Sequence, residues 1–147
     1  MIFFTSLFNT FFFSGNSSIA PGTAGSFSAL LFWWLFLPSY EIRLVFLISF
    51  IFISYFTISF DLKLNNVKDP QYIVVDEVVG LWIALFFIPS NDFINMILAF
   101  IIFRLLDILK PSIINRVQNI KGVSGILLDD IICGFITSML LIGIINI

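Results

Sequence analysis

Apolar residues in this chain run in long unbroken stretches rather than in alternation. Residues 44–60 are uncharged and apolar apart from scattered Ser, Thr and Tyr, and residues 131–147 read alike. Each stretch approaches the ~20 residues that a helix needs to cross the hydrocarbon core of a bilayer. Three shorter runs, 27–37, 78–88 and 93–103, are too short to span alone. They lengthen only if charged neighbours sit at membrane depth. Continuous runs argue against a membrane β-barrel, whose strands alternate.

Turn-forming residues punctuate the runs. Pro38, Ser39, Tyr40 and Glu41 separate the first short run from 44–60, and Pro89, Ser90, Asn91 and Asp92 separate 78–88 from 93–103. Proline presets its own dihedral, while Ser, Asn and Asp bond local backbone. The pattern predicts an all-α, multihelical integral membrane protein in one domain, 1–147: two helical hairpins, then a C-terminal helix. Residues 1–14 are apolar but short, which suits an interfacial or re-entrant helix. They carry no Lys or Arg, so no basic secretory leader is read there.

Composition agrees and excludes other classes. Of 147 residues, 60% are hydrophobic, 11% are charged and 20 are Phe. Soluble domains hold roughly 45–50% apolar and about 25% charged residues. A net charge of -2 offers no basic surface for nucleic acid. The absence of histidine removes Ser-His-Asp triads and His-bound zinc. The single cysteine, Cys133, has no Arg after it, so a cysteine-phosphatase loop is excluded and a small apolar residue in a helix is the expectation.

The few charges are unevenly placed. If the hairpins form, Lys63, Lys68, Arg104, Lys110, Arg116 and Lys121 share one side of the membrane, and Arg43 stands alone on the other. The positive-inside rule makes the richer side cytoplasmic. Asp76 and Glu77 interrupt an apolar run, and Arg104 and Asp107 lie at similar depth on the partner helix, roughly 20 Å from the turn that joins them. Ionisable groups at such depth are functional candidates by default. Arg104, Asp107 and Lys110 are spaced three apart, which puts them on one helix face, and Pro111 marks the helix end. Asp129 and Asp130 open the last predicted helix, where the helix dipole alone would favour them.

Five carboxylates, Asp76, Glu77, Asp107, Asp129 and Asp130, thus gather beside Arg104 and Lys110. Carboxylate oxygens suit Mg²⁺, and Arg or Lys suits phosphate. Together they point to metal-assisted phosphoryl chemistry at the membrane surface. The Gly-rich segment 14–26 enters the first short apolar run. It reads as a turn whose backbone approaches an anion, with Thr23 or Ser26 as helix cap. It also reads as an ordinary helix entry. Two rival readings remain at this stage: a carboxylate-lined ion or proton translocator, and a structural membrane subunit held by ion pairs.

Four motifs in order carry a resemblance. They are segment 20–26, with Pro21, Gly22, Thr23, Gly25 and Ser26; Lys68-Asp69-Pro70 followed by 73–80, with Asp76 and Glu77; 103–111, with Arg104, Asp107, Lys110 and Pro111; and 125–134, with Asp129 and Asp130. The sequence resembles the phosphatidylglycerophosphatase A family of small bacterial membrane lipid phosphatases. Cys133 stands where the resemblance leads one to expect Ala. The resemblance implies Mg²⁺-dependent hydrolysis of phosphatidylglycerophosphate to phosphatidylglycerol and phosphate, in phospholipid biosynthesis at the cytoplasmic face of the inner membrane. The five carboxylates would then hold Mg²⁺ and position water. Arg104, Lys110, Gly22, Thr23, Gly25 and Ser26 would contact phosphate or the glycerol headgroup. A direct attack by water is expected over an aspartyl-phosphate intermediate, because the DxDx(T/V) signature is absent.

Overall fold

The computed structural model describes residues 2–37, 39–65, 70–88, 92–111, 114, 116–117, 120 and 122–145. Among them the regular structure is helical, with no strand. The helices are α1 (Ile2–Asn9), α2 (Pro21–Phe36), α3 (Tyr40–Asn65), α4 (Val75–Phe86), α5 (Phe93–Leu109) and α6 (Val123–Ile145), with a 3₁₀ turn at Ser14–Asn16. The expectations that fall on Pro38, Lys68-Asp69, Pro89-Ser90-Asn91 and Lys121 lie outside the described residues.

The helices are longer at several ends than the apolar runs suggest. Helix α2 begins at Pro21, whose fixed dihedral and missing N–H suit the first helical position. Its N-cap is Ala20, with no side-chain cap bond, so neither Thr23 nor Ser26 caps it. The expected Gly-rich turn at 22–26 is instead the first helical turns, and the Ser26 hydroxyl donates back to the Gly22 carbonyl at 2.8 Å. Helix α6 begins at Val123, so Asp129 and Asp130 lie nearly two turns inside it rather than at its start. Helix α5 runs on through the charged motif and stops at Leu109, with Lys110 left-handed at φ 41° before Pro111. Asp92 caps its start, accepting from the Ile94 N–H at 3.4 Å.

Helix α4 organises the rest. It packs against α2, α3, α5 and α6. Its residues from Val75 to Leu85 are buried on every face except at Glu77, as a helix apolar all round requires. Its contact with α6 is close because two glycines meet there. A Cβ on Gly80 would lie 2.6 Å from the Asp130 carbonyl oxygen and 2.7 Å from the Phe103 ring. A Cβ on Gly134 would overlap the Gly80 carbonyl. On the opposite side of α4, Trp82 donates from its indole to the Ala29 carbonyl of α2 at 3.0 Å. Cys133 is free and buried in the main core, as expected for a small apolar side chain.

Helices α3 and α6 are long and apolar enough to cross a membrane by length and composition. Val45, Ile48, Phe52 and Phe56 of α3 and Met139 and Ile144 of α6 are exposed. Helices α2 and α3 meet where the chain turns between them. Arg43 Nε donates to the Leu37 carbonyl at 2.7 Å, and its guanidinium lies 5.2 Å from the centre of the Trp33 ring.

The N-terminal segment is not one helix over 1–14. After α1 the chain takes three consecutive left-handed residues, Phe11, Phe12 and Phe13, at φ 41°, 55° and 65°. Thr10 supports the turn, accepting from the Phe13 N–H at 3.1 Å while donating to the Ser6 carbonyl at 2.8 Å. Phe12 and Phe13 point outward, whereas Phe11 is buried edge-on against Phe32, Phe50 and Trp82.

Candidate active site

The site forms where the first turn of α4 faces α6, α5 and the start of α2. Asp76 and Glu77 occupy the first turn of α4. Gly80 lies one turn further on, below Asp76, and the close approach it permits brings Asp130 alongside. One carboxylate oxygen each from Asp76, Glu77 and Asp130 lies within 4.8 Å of the others. Asp76 and Asp130 are buried, and Glu77 is half-buried. Asp76 Oδ1, Glu77 Oε2 and Asp130 Oδ1 are buried without a hydrogen-bond partner among the described residues.

Those orphaned oxygens bear on metal binding. Buried polar atoms normally have partners, and three carboxylates this close repel strongly in a medium of low dielectric. A divalent cation that takes hard oxygen ligands would satisfy the free oxygens and cancel the repulsion. The residues present therefore fit such an ion.

The other two carboxylates are engaged by cations. Asp107 Oδ2 accepts from Arg104 at 2.6 Å, one turn away on α5. Arg104 also faces Glu77 at 3.9 Å, so it bridges α5 to α4. Asp129 Oδ2 accepts from Lys110 at 2.8 Å, and Lys110 lies 3.8 Å from Asp107. The left-handed cap at Lys110 ends α5 with its ammonium beside α6. Arg104 Nε is buried without a partner, which leaves donor capacity on the guanidinium.

The start of α2 closes the site unevenly. Gly22 lies directly on Glu77 and Arg104: a Cβ there would overlap Glu77 Oε1 and sit 3.1 Å from both terminal guanidinium nitrogens. Gly25 instead packs on Val74, 2.6 Å from its Cβ to the position a Cβ would take. Ser26 is buried and bonded within its own helix, and Thr23 is half-buried in the first turn. The structure thus brings Gly22 to the charged group and places Gly25 and Ser26 behind it.

Sequence reasoning passed over Gly80 and Gly134. Their signal was present, since each follows an acidic residue, Asp76 or Asp130, by four positions and so lies one turn below it on the same face. It also passed over Asp61 and Tyr72, whose partners lie in different elements.

The family described as Phosphatidylglycerophosphatase A matches residues 7–145. A relative from Escherichia coli K12, named "Phosphatidylglycerophosphatase A", is 41% identical over 133 residues, covering 88% of this chain and 77% of its own. A Haemophilus influenzae protein of the same name is 32% identical over 124 residues, covering 82% and 76%. A Bacteroides thetaiotaomicron protein named "Putative phosphatidylinositol-3-phosphatase" is 36% identical over 153 residues, covering 94% and 91%. No solved structure matches the chain.

Proposed function

From the premise that the chain belongs to the phosphatidylglycerophosphatase A family, we propose that it hydrolyses phosphatidylglycerophosphate to phosphatidylglycerol and inorganic phosphate. One observation carries the assignment of the site: unpartnered carboxylate oxygens of Asp76, Glu77 and Asp130 gather beside the Arg104 guanidinium. Family membership does not favour the translocating or structural reading of these charges.

Asp76, Glu77 and Asp130 would hold Mg²⁺. A bound Mg²⁺ supplies positive charge against the phosphate and polarises a water. Arg104 binds the phosphate through its spare donor capacity and stabilises charge that develops on it in the transition state. Lys110 adds a second cation at the same edge. Asp107 and Asp129 orient Arg104 and Lys110 through the bonds already formed between them. Gly22, at the start of α2, lets Glu77 and Arg104 lie against the helix; the first-turn backbone there, with Thr23, borders the phosphate site, and Gly25 and Ser26 support that turn from behind. Water attacks phosphorus, and the bond from phosphorus to the glycerol oxygen breaks. A carboxylate of this set takes the water's proton and returns it to the glycerol oxygen, which leaves as a hydroxyl while the phosphate keeps the water's oxygen.

The same reading places the protein in the bacterial inner membrane. Helices α3 and α6 span it, α2 with α3 and α4 with α5 form hairpins, and α1 lies in the interface or re-enters. The site then faces the cytoplasm, where the basic residues are concentrated.

The test is phosphate release from phosphatidylglycerophosphate in detergent micelles, with Mg²⁺ and with a chelator. Phosphatidylinositol 3-phosphate, a phosphomonoester on another lipid headgroup, serves as the competing substrate. Release that needs Mg²⁺ and favours phosphatidylglycerophosphate is expected. Folded protein that releases no phosphate from it would remove the assignment.

A further inference from the structure

One buried carboxylate lies outside the site and has no part in the chemistry above. Asp61, near the end of α3, is 6% exposed. Both its oxygens accept from neutral donors: Oδ1 from the Asn65 amide at 3.0 Å, and Oδ2 from the Tyr72 hydroxyl at 2.7 Å. The Asn65 amide also donates to the Tyr72 hydroxyl at 2.9 Å, which closes a three-membered ring of bonds. Tyr72 is a secure donor, because burial, together with the bond to Asp61 and its charge, pushes it up to about 12.

Tyr72 belongs to the linker that delivers Asp76 and Glu77. Two residues on, the Val74 N–H donates to the Asn9 carbonyl at 2.9 Å, and the Asn9 amide donates to the Thr57 carbonyl of α3 at 3.3 Å. Gly25 presses on Val74 from α2. Beneath the ring of bonds, Ile58 of α3, Ile73 and Val75 pack with Leu127 of α6, two residues before Asp129. The linker is therefore gripped by α1, α2 and α3 just before the first acidic residue, and one apolar cluster ties that grip to the helix carrying Asp130.

We propose that Asp61 is a positioning residue: acting through the Tyr72 hydroxyl, it fixes the linker and so the place at which Asp76 and Glu77 meet Asp130. A carboxylate cluster binds a small cation only when its oxygens are held in place, and partners behind the ligands commonly set affinity and rate about 10–100-fold. The proposal rests on the functional reading above for its reaction and its ion.

The test uses the full chain in detergent micelles. Mn²⁺ alone, another oxygen-preferring cation, reports binding through loss of its free EPR signal, and phosphate release is measured separately. Asp61→Ala and Tyr72→Phe are expected to weaken Mn²⁺ binding about tenfold and to lower kcat about tenfold, with KM for the lipid unchanged. Asp61→Asn keeps an acceptor for Tyr72 and is expected to restore both to within about threefold. If Asp61→Ala does not fold, Tyr72→Phe decides alone. Variants that bind Mn²⁺ and turn over like the unaltered protein, even with a lower melting temperature, overturn the proposal. If the unaltered protein hydrolyses the lipid without binding Mn²⁺, the metal assignment fails and kcat alone decides the role of Asp61. If it neither binds nor hydrolyses, the functional reading falls and the positioning role with it.

Discussion

Replacing Gly80 with alanine adds one methyl group where two helices touch. The new Cβ would stand 2.6 Å from the Asp130 carbonyl oxygen, whereas ordinary contact begins at 3.4 Å. Asp130 must therefore retreat by about 0.8 Å, because Phe103 blocks the other direction and is itself fully buried. Gly134 has no slack to offer, since its own backbone rests on the Gly80 carbonyl. Overpacking of this kind costs about 1–3 kcal/mol of stability. The larger effect is on chemistry, because Asp130 carries one of the three gathered carboxylates. A displacement near 1 Å commonly costs about 10²-fold in rate, so kcat is expected to fall roughly 30–100-fold. Phosphate release in micelles measures it, with melting temperature recorded in parallel. Gly143→Ala is the control, since nothing lies within 4 Å of a Cβ there; removing a helix-interior glycine should leave activity intact and add about 0.5–1 kcal/mol. If Gly80→Ala keeps turnover within about threefold and binds Mn²⁺ normally, glycine contact does not set the spacing of the carboxylates.

Other expectations follow from the same geometry. Arg104→Lys keeps the charge but loses the planar guanidinium, whose one terminal nitrogen serves Asp107 and Glu77 and leaves other donors for phosphate, so kcat should fall about 10²-fold in the phosphate assay. Lys110→Met leaves the buried Asp129 carboxylate unpaired; because Lys110 is itself 29% exposed, about 1–3 kcal/mol of stability should be lost on thermal unfolding, with KM raised. Mg²⁺ at a hundredfold excess over its dissociation constant should stabilise the folded protein by about 2.7 kcal/mol, or roughly 5–10 °C in melting temperature. Asp130→Asn should abolish that shift, and a shift that survives the substitution would place the ion elsewhere.

Much of the site was legible because its parts are local in sequence. Arg104, Asp107 and Lys110 share a face by spacing alone, and Pro111 marks the end of α5 to within two residues. Helix beginnings were harder. Gly22 and Ser26 carry turn chemistry, yet Pro21 starts a helix there and the Ser26 hydroxyl satisfies a helix carbonyl instead of capping. Asp129 and Asp130 look like a helix start by charge, but Val123 to Leu128 is helical as well, and burial of Leu127 outweighs the preference of acidic residues for the first turn. The gathering of Asp76, Glu77 and Asp130, with Asp107 and Asp129 held by Arg104 and Lys110, depends on how α5 and α6 lie against α4, which spacing along one helix does not report. Asp61 and Tyr72 lie eleven residues apart with no periodic relation, so their bond exists only in the fold.

The left-handed run at Phe11, Phe12 and Phe13 bears on the order of assembly. A non-glycine residue in that conformation costs roughly 1–2 kcal/mol, and here three stand in succession. The N-terminal segment cannot keep such a shape alone. What holds it is the Phe11 ring lodged among Phe32, Phe50 and Trp82, which belong to α2, α3 and α4. Until α4 has been synthesised and has docked, that socket lacks its Trp82 wall and α1 has only α3 to rest on. The segment made first is therefore settled late. The backbone that receives the Val74 N–H, just ahead of the acidic pair, locks only when the core behind it is complete.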